Sequence, residues 1–229
     1  MAYPTDWRVV DLTRVLHPGT ERFKLEIRTY PVDELLPGFH RPEGEWYVLQ
    51  EWGISSHIGT HVEAPFHHLR EGGDVSTIPL ATLMGEAVVL DFRGKQGGEA
   101  ISLAEVRSAG CTIGRGDIVL VHTGFDRLYG QPNYTRPYLA LEAIEWLVAL
   151  GIAALGIDAS GIEAYQAPEQ PGHLLLFEHG IPVIEELTHL EELRSRRCFF
   201  IGLPLPIVGA DSCPIRAVAV EGIASKEYE

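Results

Sequence analysis

The feature that most constrains the fold of this chain is a set of short apolar runs, each about the length of one strand. The two clearest runs cover Glu86 to Phe92 and Asp117 to His122, and both are rich in Val and Leu. Such runs are typical of strands that are buried on both faces of a sheet. Ala154 to Ile157 and Phe199 to Leu203 are similar, and the alternation in Ile215 to Val220 predicts a last strand. The chain is therefore predicted to contain at least one substantial sheet.

Helices are predicted to be fewer and to lie between the strands. Ser102 and Glu105 have the spacing of a capping box, which predicts a short helix after Ser102. Leu141 to Leu150 has the strongest helical pattern, and a third short helix is predicted from about His173 to His179. This order favours a mixed α/β fold over a regular βαβ repeat. A length of 229 residues fits one compact domain, which we expect to span residues 1–229.

The charge of the chain argues against two classes of partner. Lys and Arg number 18 against 32 Asp and Glu, which gives a formal net charge of −14 at pH 7. Phosphate backbones and anionic membrane surfaces repel such a chain, so we expect no nucleic acid and no membrane among its partners. No apolar run reaches the roughly 20 residues that a membrane-spanning helix needs.

The cysteines and the N-terminus bear on the cellular compartment. Cys111, Cys198 and Cys213 are odd in number and far apart, which favours reduced thiols over a disulfide framework. The segment Met1 to Trp7 has neither the basic nor the apolar region of a secretory signal. We therefore expect a cytoplasmic protein. Cys213 could be a nucleophile paired with a histidine, but a buried and unreactive thiol is the commoner case.

A cluster of histidines carries the strongest functional signal. Four of the ten histidines lie between His57 and His68. His57, His61, Glu63 and His67 all have odd numbers, and alternate side chains of a strand point to one face. A Gly-Thr pair between His57 and His61 allows a bend. Two imidazoles and a carboxylate on one face are suitable ligands for a divalent cation such as zinc or manganese.

The cluster has a simpler interpretation, in which these residues are solvated side chains on an exposed strand. A single histidine would favour that interpretation, but three donors together with His67 at matching positions favour a metal. The sequence has neither the HExxH motif nor the ligand spacing of a zinc finger, so the site is not that of a helical metalloprotease. His68 is expected to face the opposite side of an extended segment and to have a structural role.

Further ligands must come from elsewhere, because one short segment rarely completes a catalytic site. His173 opens the third predicted helix, and Glu185 lies in the strand-like run Ile181 to Leu187. A carboxylate buried in a strand is costly unless it is paired or bound to a metal, but an edge strand could equally turn Glu185 to water. Asp158 and Asp211 could orient histidines or arginines, or could cap turns.

The segment from His57 to His67 resembles the signature H-x-G-T-H-x-D-x-P-x-H of the metal-dependent cyclase/hydrolase family, which includes bacterial kynurenine formamidase and isatin hydrolase. Glu63 stands where the family usually has Asp. His173 and Glu185 match the later His and Glu ligands of the family. The resemblance extends over most of the chain through the segments Asp11–Thr13, Pro18–Gly19, Thr123–Gly124, Gly156–Asp158, Leu203–Pro206 and Gly209–Asp211, and through Pro214 and Arg216.

The resemblance implies a swivelling β/β/α-type fold with a mixed sheet, a homodimer or homotetramer, and a small-molecule substrate. It also implies a bound divalent metal, zinc with manganese as the alternative, in one or two ions per subunit. The implied metal ligands are His57, His61, Glu63, His173 and Glu185, of which His173 helps to build a second metal position. His67 is the implied acid/base residue. His17 is the implied substrate-binding residue, because it occupies the place of an aromatic residue that contacts the substrate in the formamidases.

These parts predict a metal-dependent hydrolase that acts on C–N bonds other than peptide bonds, in the manner of an arylformamidase. A divalent cation lowers the pKa of water from 15.7 to about 7, and a histidine such as His67 can deliver the proton that a leaving group needs. The substrate is a small amide, lactam or ester, with an aromatic compound as the formamidase-like case. No Gly-x-Ser-x-Gly motif is present, which disfavours a serine hydrolase of the α/β-hydrolase type. The alternative is a non-catalytic metal-binding or sensing module, for which His67 would not be needed.

Overall fold

The computed structural model describes residues 7–131 and 135–222. The N-terminal segment that was considered for a secretory signal lies, except for Trp7, outside the described residues. The strands are β1 (Arg8–Asp11), β2 (Leu25–Pro31), β3 (Val48–Ile54), β4 (His61–Glu63), β5 (Met84–Asp91), β6 (Ala100–Ile101), β7 (Ile118–His122), β8 (Tyr138–Leu139), β9 (Ala154–Ile157), β10 (Val183–Glu185), β11 (Arg197–Leu203), β12 (Ser212–Pro214) and β13 (Arg216–Glu221). The α-helices are α1 (Val32–Leu35), α2 (Leu103–Arg107), α3 (Leu141–Leu150) and α4 (Pro171–Glu178).

Nine of the strands form one mixed sheet in the order β1-β13-β11-β5-β7-β9-β10-β4-β12. At its centre, β5, β7, β9 and β10 are parallel. The flanking strands are antiparallel to their neighbours, with β11, β13 and β1 on one side and β4 and β12 on the other. The predicted mixed α/β fold with a substantial sheet is therefore confirmed. β9 has the predicted bounds, and β5, β7, β11 and β13 begin and end within two residues of the predicted runs.

The central strands are buried on both faces because their alternate side chains enter two different cores. Val119 of β7 belongs to a cluster that includes residues of α3 and α4. The next residue, Leu120, belongs to the cluster on the other face, together with Leu12 and Phe200. Burying one such side chain is worth roughly 1.5–3 kcal/mol, so the two cores fix the strands firmly.

The helix predictions are confirmed, with a small shift at one end. The hydroxyl of Ser102 accepts from the N–H of Glu105, whose carboxylate accepts from the N–H of Ser102. α3 has the predicted bounds, and Gly151 ends it with a left-handed φ of 76°. α4 begins two residues earlier than predicted, because Pro171 is favoured in the first turn of a helix. Among the described residues, no helix is long and apolar enough to cross a membrane.

A separate two-stranded sheet, formed by β2 and β3, was not predicted from the sequence, and neither was the smaller two-stranded sheet of β6 and β8. We call residues 25–54 the β2–β3 arm. Its large apolar side chains are not buried in the described chain: Trp46 is 85% and Trp52 67% exposed. A strand without a buried face has no clear apolar alternation, which is the signal that sequence reasoning uses.

Candidate metal centre and active site

The histidine-rich segment folds around one short strand. Only His61–Glu63 is extended, and this strand, β4, pairs with β10 on one side and β12 on the other. His57 lies in the turn before β4, and His67 lies in a 3-10 helix that begins at Pro65. The expectation of one face along a bent, extended segment is correct for His61 and Glu63 but wrong for the whole segment. Turns, rather than the alternation of a strand, bring His57 and His67 to the same place.

Backbone contacts in the turn explain the Gly-Thr pair. Gly59 has a φ of +60°, and a Cβ added to it would lie 2.5 Å from Cδ2 of Leu16, so glycine is favoured at this position. The Thr60 hydroxyl donates to the backbone carbonyl of Glu186 at 2.6 Å and ties the turn to the end of β10. The Gly59 carbonyl lies 2.7 Å from Nδ1 of His61 and accepts its proton, which leaves Nε2 free to act as a ligand.

Glu63 lies at the centre of a cluster of imidazoles and carboxylates. Its Oε1 is 3.0 Å from Nδ1 of His57 and 3.6 Å from Nε2 of His61, and its Oε2 is 3.3 Å from Nε2 of His173. Glu185, which faces His61 in the β10–β4 ladder, lies 3.4 Å from Nε2 of His173 and 3.8 Å from Nε2 of His61. The structure thus brings together all five residues that the resemblance implies as ligands, from β4, β10, α4 and the turn before β4.

β10 is shorter than the strand-like run Ile181 to Leu187, and its end helps to build the site. Glu186 has a left-handed φ of 57°, which stops the strand directly after Glu185. The Glu185 side chain is therefore the last of the strand, and it is buried among the histidines rather than turned to water.

The donor atoms fit a divalent cation. Two triads, His57–Glu63–His67 and His61–Glu63–Glu185, each have ligand atoms within 4.8 Å of one another, and Glu63 belongs to both. Oε2 of Glu63 is buried and accepts no hydrogen bond of normal geometry from the described residues, a costly state that a cation would relieve. Imidazole nitrogens and carboxylate oxygens are the ligands that zinc and manganese take in proteins.

Carboxylates outweigh burial in setting the charge of these histidines. Burial disfavours protonated His57, but Glu63 and Asp211 raise its pKa to about 9. Burial also opposes the charge on His173, but three carboxylates around it hold its pKa well above the ordinary value. Burial would raise the pKa of Glu63, yet the neighbouring histidines, His173 foremost, hold it well below its usual range. The site therefore attracts positive charge, either protons or a metal ion.

Two further carboxylates, Glu163 and Asp211, contact ring nitrogens of the histidines and orient their rings. Glu163 lies 2.5 Å from Nδ1 of His173 and also accepts from the backbone N–H of His173 at 2.9 Å. Asp211 lies 2.8 Å from Nε2 of His57 and 3.1 Å from Nδ1 of His67. Such partners fix the ring orientation and tautomer of metal-binding histidines. For Asp211, the alternative of a residue that orients histidines is confirmed. Glu163 was missed, because it lies in an irregular segment with no motif around it.

The expectation that His68 faces away from the cluster is wrong. The chain at this point is a 3-10 turn rather than an extended strand. The His68 ring therefore stacks on His173, with centroids 5.2 Å apart and ring planes 3° apart, and it also lies 4.7 Å from His67. Its role is packing against a proposed ligand.

Asp158 and Cys213 have structural surroundings. Asp158 accepts from the backbone N–H groups of Thr123 and Gly124, which confirms the alternative of a turn cap, and burial raises its pKa to about 7. Cys213 is a free thiol that is buried in β12. Burial raises the pKa of that thiol, which favours the unreactive interpretation over a nucleophile.

The cluster opens into a cavity of about 210 Å³, which we call the metal cavity. His57, His61, His67 and Glu185 line its proposed metal side, and its aromatic lining residues are Phe23 and Tyr129. His17 is exposed, its backbone N–H donates to the Glu21 carboxylate, and it is not among the lining residues. Its role in substrate binding stays a prediction.

Comparison with known proteins gives the class to which this fold and site belong. The family model described as "Putative cyclase" matches residues 10–164, which is more than half of the chain. The kynurenine formamidase of Salinibacter ruber is 31% identical over 216 residues, covering 92% of this chain and 96% of that protein. The chain belongs to the cyclase family, and the resemblance drawn from the sequence is confirmed.

Solved structures agree with this assignment. A structure titled "Potential Metal-Dependent Hydrolase With Cyclase Activity" is 26% identical with a TM-score of 0.75, covering 94% of this chain and 98% of that one. Isatin hydrolase A from Ralstonia solanacearum is 23% identical with a TM-score of 0.78, covering 93% of this chain and 92% of that one. The second likeness shows that the fold is shared.

Proposed function

We propose that this protein is a metal-dependent hydrolase that cleaves the amide bond, or a related lactam or ester bond, of a small aromatic substrate, as a kynurenine formamidase-like enzyme. The observation that carries the proposal is the pair of triads that share Glu63 at the edge of an open cavity, one of which includes His67. A structural ion would be enclosed on all sides, whereas a catalytic ion keeps a position open to the substrate.

Five residues hold the metal in this proposal: His57, His61, Glu63, His173 and Glu185. When bound, a divalent cation supplies Lewis-acid chemistry, lowering the pKa of water from 15.7 to about 7 and polarising a carbonyl group. Zinc is the first candidate and manganese the second. The triad of His61, Glu63 and Glu185 would hold one ion, and His57 and His173, which both contact Glu63, would help to hold a second; one ion is the alternative.

We assign proton transfer to His67. Asp211 accepts from Nδ1 of His67, which leaves Nε2 to take and return a proton. The His67 side chain is 30% exposed and its Nε2 lies 3.8 Å from Glu63, at the boundary between the ligands and the metal cavity. His67 also belongs to one triad, but the triad of His61, Glu63 and Glu185 is complete without it.

An aromatic substrate is supported by the walls of the metal cavity. The Tyr129 ring is held in place, since its hydroxyl donates to Glu21 at 2.8 Å and its face lies 4.2 Å from the guanidinium carbon of Arg14. Phe23 adds a second ring at the cavity. Fixed aromatic side chains favour flat, apolar ligands. His17 remains a proposed substrate contact.

We also propose one domain over residues 1–229, a homodimer or homotetramer, and a cytoplasmic location. β1 and β13 pair in the main sheet, which supports one domain because both ends of the described chain enter it. The exposed Trp46 and Trp52 of the β2–β3 arm support self-association. Three free cysteines support a reducing compartment.

Metal removal and replacement tests the proposed activity. Purified protein is treated with a chelator, dialysed, and reloaded with zinc or manganese, and it is then assayed on formanilide, a small aryl lactam and an aryl lactone. We expect elemental analysis to show bound metal before chelation, and hydrolysis that disappears with the metal and returns with it. Hydrolysis that survives complete metal removal, or an absence of hydrolysis on every substrate in the loaded protein, would contradict the proposal.

A further inference from the structure

A second cavity adjoins the metal cavity, and its charge is opposite to that of the chain as a whole. This cavity, of about 200 Å³, is lined by Arg22, Arg136, three glutamines, Ser160 and Tyr165, and no Asp or Glu is among its lining residues. We call it the arginine cavity. It shares Arg22, Gln131 and Ser160 with the metal cavity, so one ligand can extend from one to the other.

Arg136 is the unusual residue of this cavity. It is only 8% exposed, and it is the one arginine classed as buried within residues 7–131 and 135–222. Its Nε donates to the carbonyl of Gly161 at 3.0 Å, and its guanidinium carbon lies 5.8 Å from the centre of the Tyr165 ring. Within the same residues, no carboxylate lies at ion-pair distance from Arg136.

Several arginines of the protein have acidic partners although they are more exposed than Arg136. Arg8 lies 2.8 Å from Glu221, and Arg197 lies 2.9 Å from Asp117. A buried cation without a counter-ion is costly, and the chain, with 32 acidic residues, had many available partners. The absence of one at Arg136 is explained if the counter-ion arrives with a ligand.

The backbone around Arg136 is shaped to hold it. Gly161 has a φ of +109°, and a Cβ added there would lie 2.2 Å from Nη2 of Arg136, so the guanidinium lies directly against the backbone. Gln166, which lines the same cavity, has a left-handed φ of 59°, a conformation that is uncommon for non-glycine residues. The remaining Arg136 donors, on Nη1 and Nη2, are left for a planar anion.

We propose that Arg136 binds a carboxylate on the substrate while the scissile amide lies at the metal cavity. This inference rests on the proposed function, and it assigns to Arg136 the selection of a charged substrate over a neutral one. A single buried guanidinium matches the charge and fork geometry of one carboxylate, and the glutamine amides around it supply neutral donors. Arg136 is therefore a specificity-determining residue.

The test compares matched substrates in the metal-loaded protein. Formanilides that carry a carboxylate on a chain of one to three methylenes are compared with the corresponding primary amides, which are neutral and of similar size. We expect the best carboxylate substrate to be preferred roughly 10- to 100-fold in kcat/KM, as charged hydrogen bonds allow. Arg136→Met should remove that preference through KM and leave the neutral substrates within about threefold. Arg136→Lys should recover part of it, and it replaces Arg136→Met if that variant does not fold. Arg28→Met, on the exposed face of the arm, is the control.

A binding measurement separates this inference from the proposed function. Titration calorimetry with 3-phenylpropionate should show binding to the native protein and to Arg28→Met, and at least tenfold weaker binding to Arg136→Met. If no amide is hydrolysed, the proposed function fails, and this measurement alone decides the carboxylate site. Equal loss on acidic and neutral substrates, equal binding of 3-phenylpropionate by Arg136→Met, or tighter binding of inorganic phosphate than of the carboxylate would overturn the inference.

Discussion

Two strands of the main sheet, β7 and β4, are equally buried but held by opposite kinds of chemistry. Every residue of both strands is buried. β7 consists of four aliphatic residues and a histidine, and their burial contributes about 25 cal/mol per Å² of apolar surface. β4 contributes His61 and Glu63, whose burial costs free energy unless each polar atom is paired.

The comparison teaches that the β4 region is retained for chemistry rather than for stability. Its charges are satisfied only by one another, by the orienting carboxylates Glu163 and Asp211, and by a metal ion in the proposed function. An apolar strand in the place of β4 would pack at lower cost. Substitutions in the two regions should therefore separate activity from stability.

The largest effect is expected for His61→Ala, which removes a proposed metal ligand from β4. Stoichiometric metal should be lost and turnover should fall to background, because His61 is the only imidazole in the triad His61–Glu63–Glu185. Elemental analysis after dialysis measures the metal. His179→Ala, which removes an exposed histidine directly after the end of α4, is the control and should keep its metal. Full metal occupancy in His61→Ala would refute the assignment.

His67→Ala should distinguish the residues that bind the metal from the residue that carries the proton. The variant should keep its metal and lose roughly 10²- to 10⁴-fold in kcat, the usual contribution of a positioned acid/base group. Its residual rate should rise with pH as hydroxide becomes available. His179→Ala again serves as the control. His68→Ala is a poorer control, because its ring contacts both His67 and His173. Loss of metal from His67→Ala would show that His67 is a ligand and not a proton carrier.

The apolar strands of the main sheet, such as β7, were predictable from the sequence because their signal lies within the strand itself. A run such as Glu86 to Phe92 is recognised as a strand from its length and its apolar content, which need only a few neighbouring residues. The β2–β3 arm was not predictable, because no side chain of its two strands is buried in the described chain and their pattern carries no signal. The order of strands in the sheet depends on long-range pairing and was not predicted.

The residues of the charged site around β4 were predictable only where they are close in sequence or match a family pattern. His57, His61 and Glu63 were found from spacing, although the reason was partly wrong, since a turn rather than a strand places His57. Glu163 and Arg136 were not found, because each acts through a contact with a residue distant in the chain. Roles of this kind depend on tertiary packing, which spacing does not reveal.

A substitution in the apolar strand β7 tests whether stability can be lowered without loss of activity. Leu120→Ala removes a fully buried side chain and should lower the free energy of unfolding by about 2–5 kcal/mol. The folded fraction should keep its metal and its kcat, because Leu120 contacts the core and not the cluster. Urea unfolding measures the first quantity, and assays well below the unfolding midpoint measure the second. A loss of kcat in fully folded Leu120→Ala would show that the two regions are not separable.

The smallest effect is expected for Glu163→Gln, which changes a residue that acts on the site only through His173. The glutamine keeps the size of the side chain and can still accept from the backbone N–H of His173, but it loses the charge that holds Nδ1. Metal affinity should therefore fall about 10- to 100-fold, the usual consequence of removing the partner of a ligating histidine. Competition with a chelator of known affinity measures it. Glu178→Gln, at the exposed end of the same helix as His173, should have no effect. If both variants bind metal as tightly as the native protein, His173 is either not a ligand or not oriented by Glu163, and the charged region extends no further than Glu63 and its immediate neighbours.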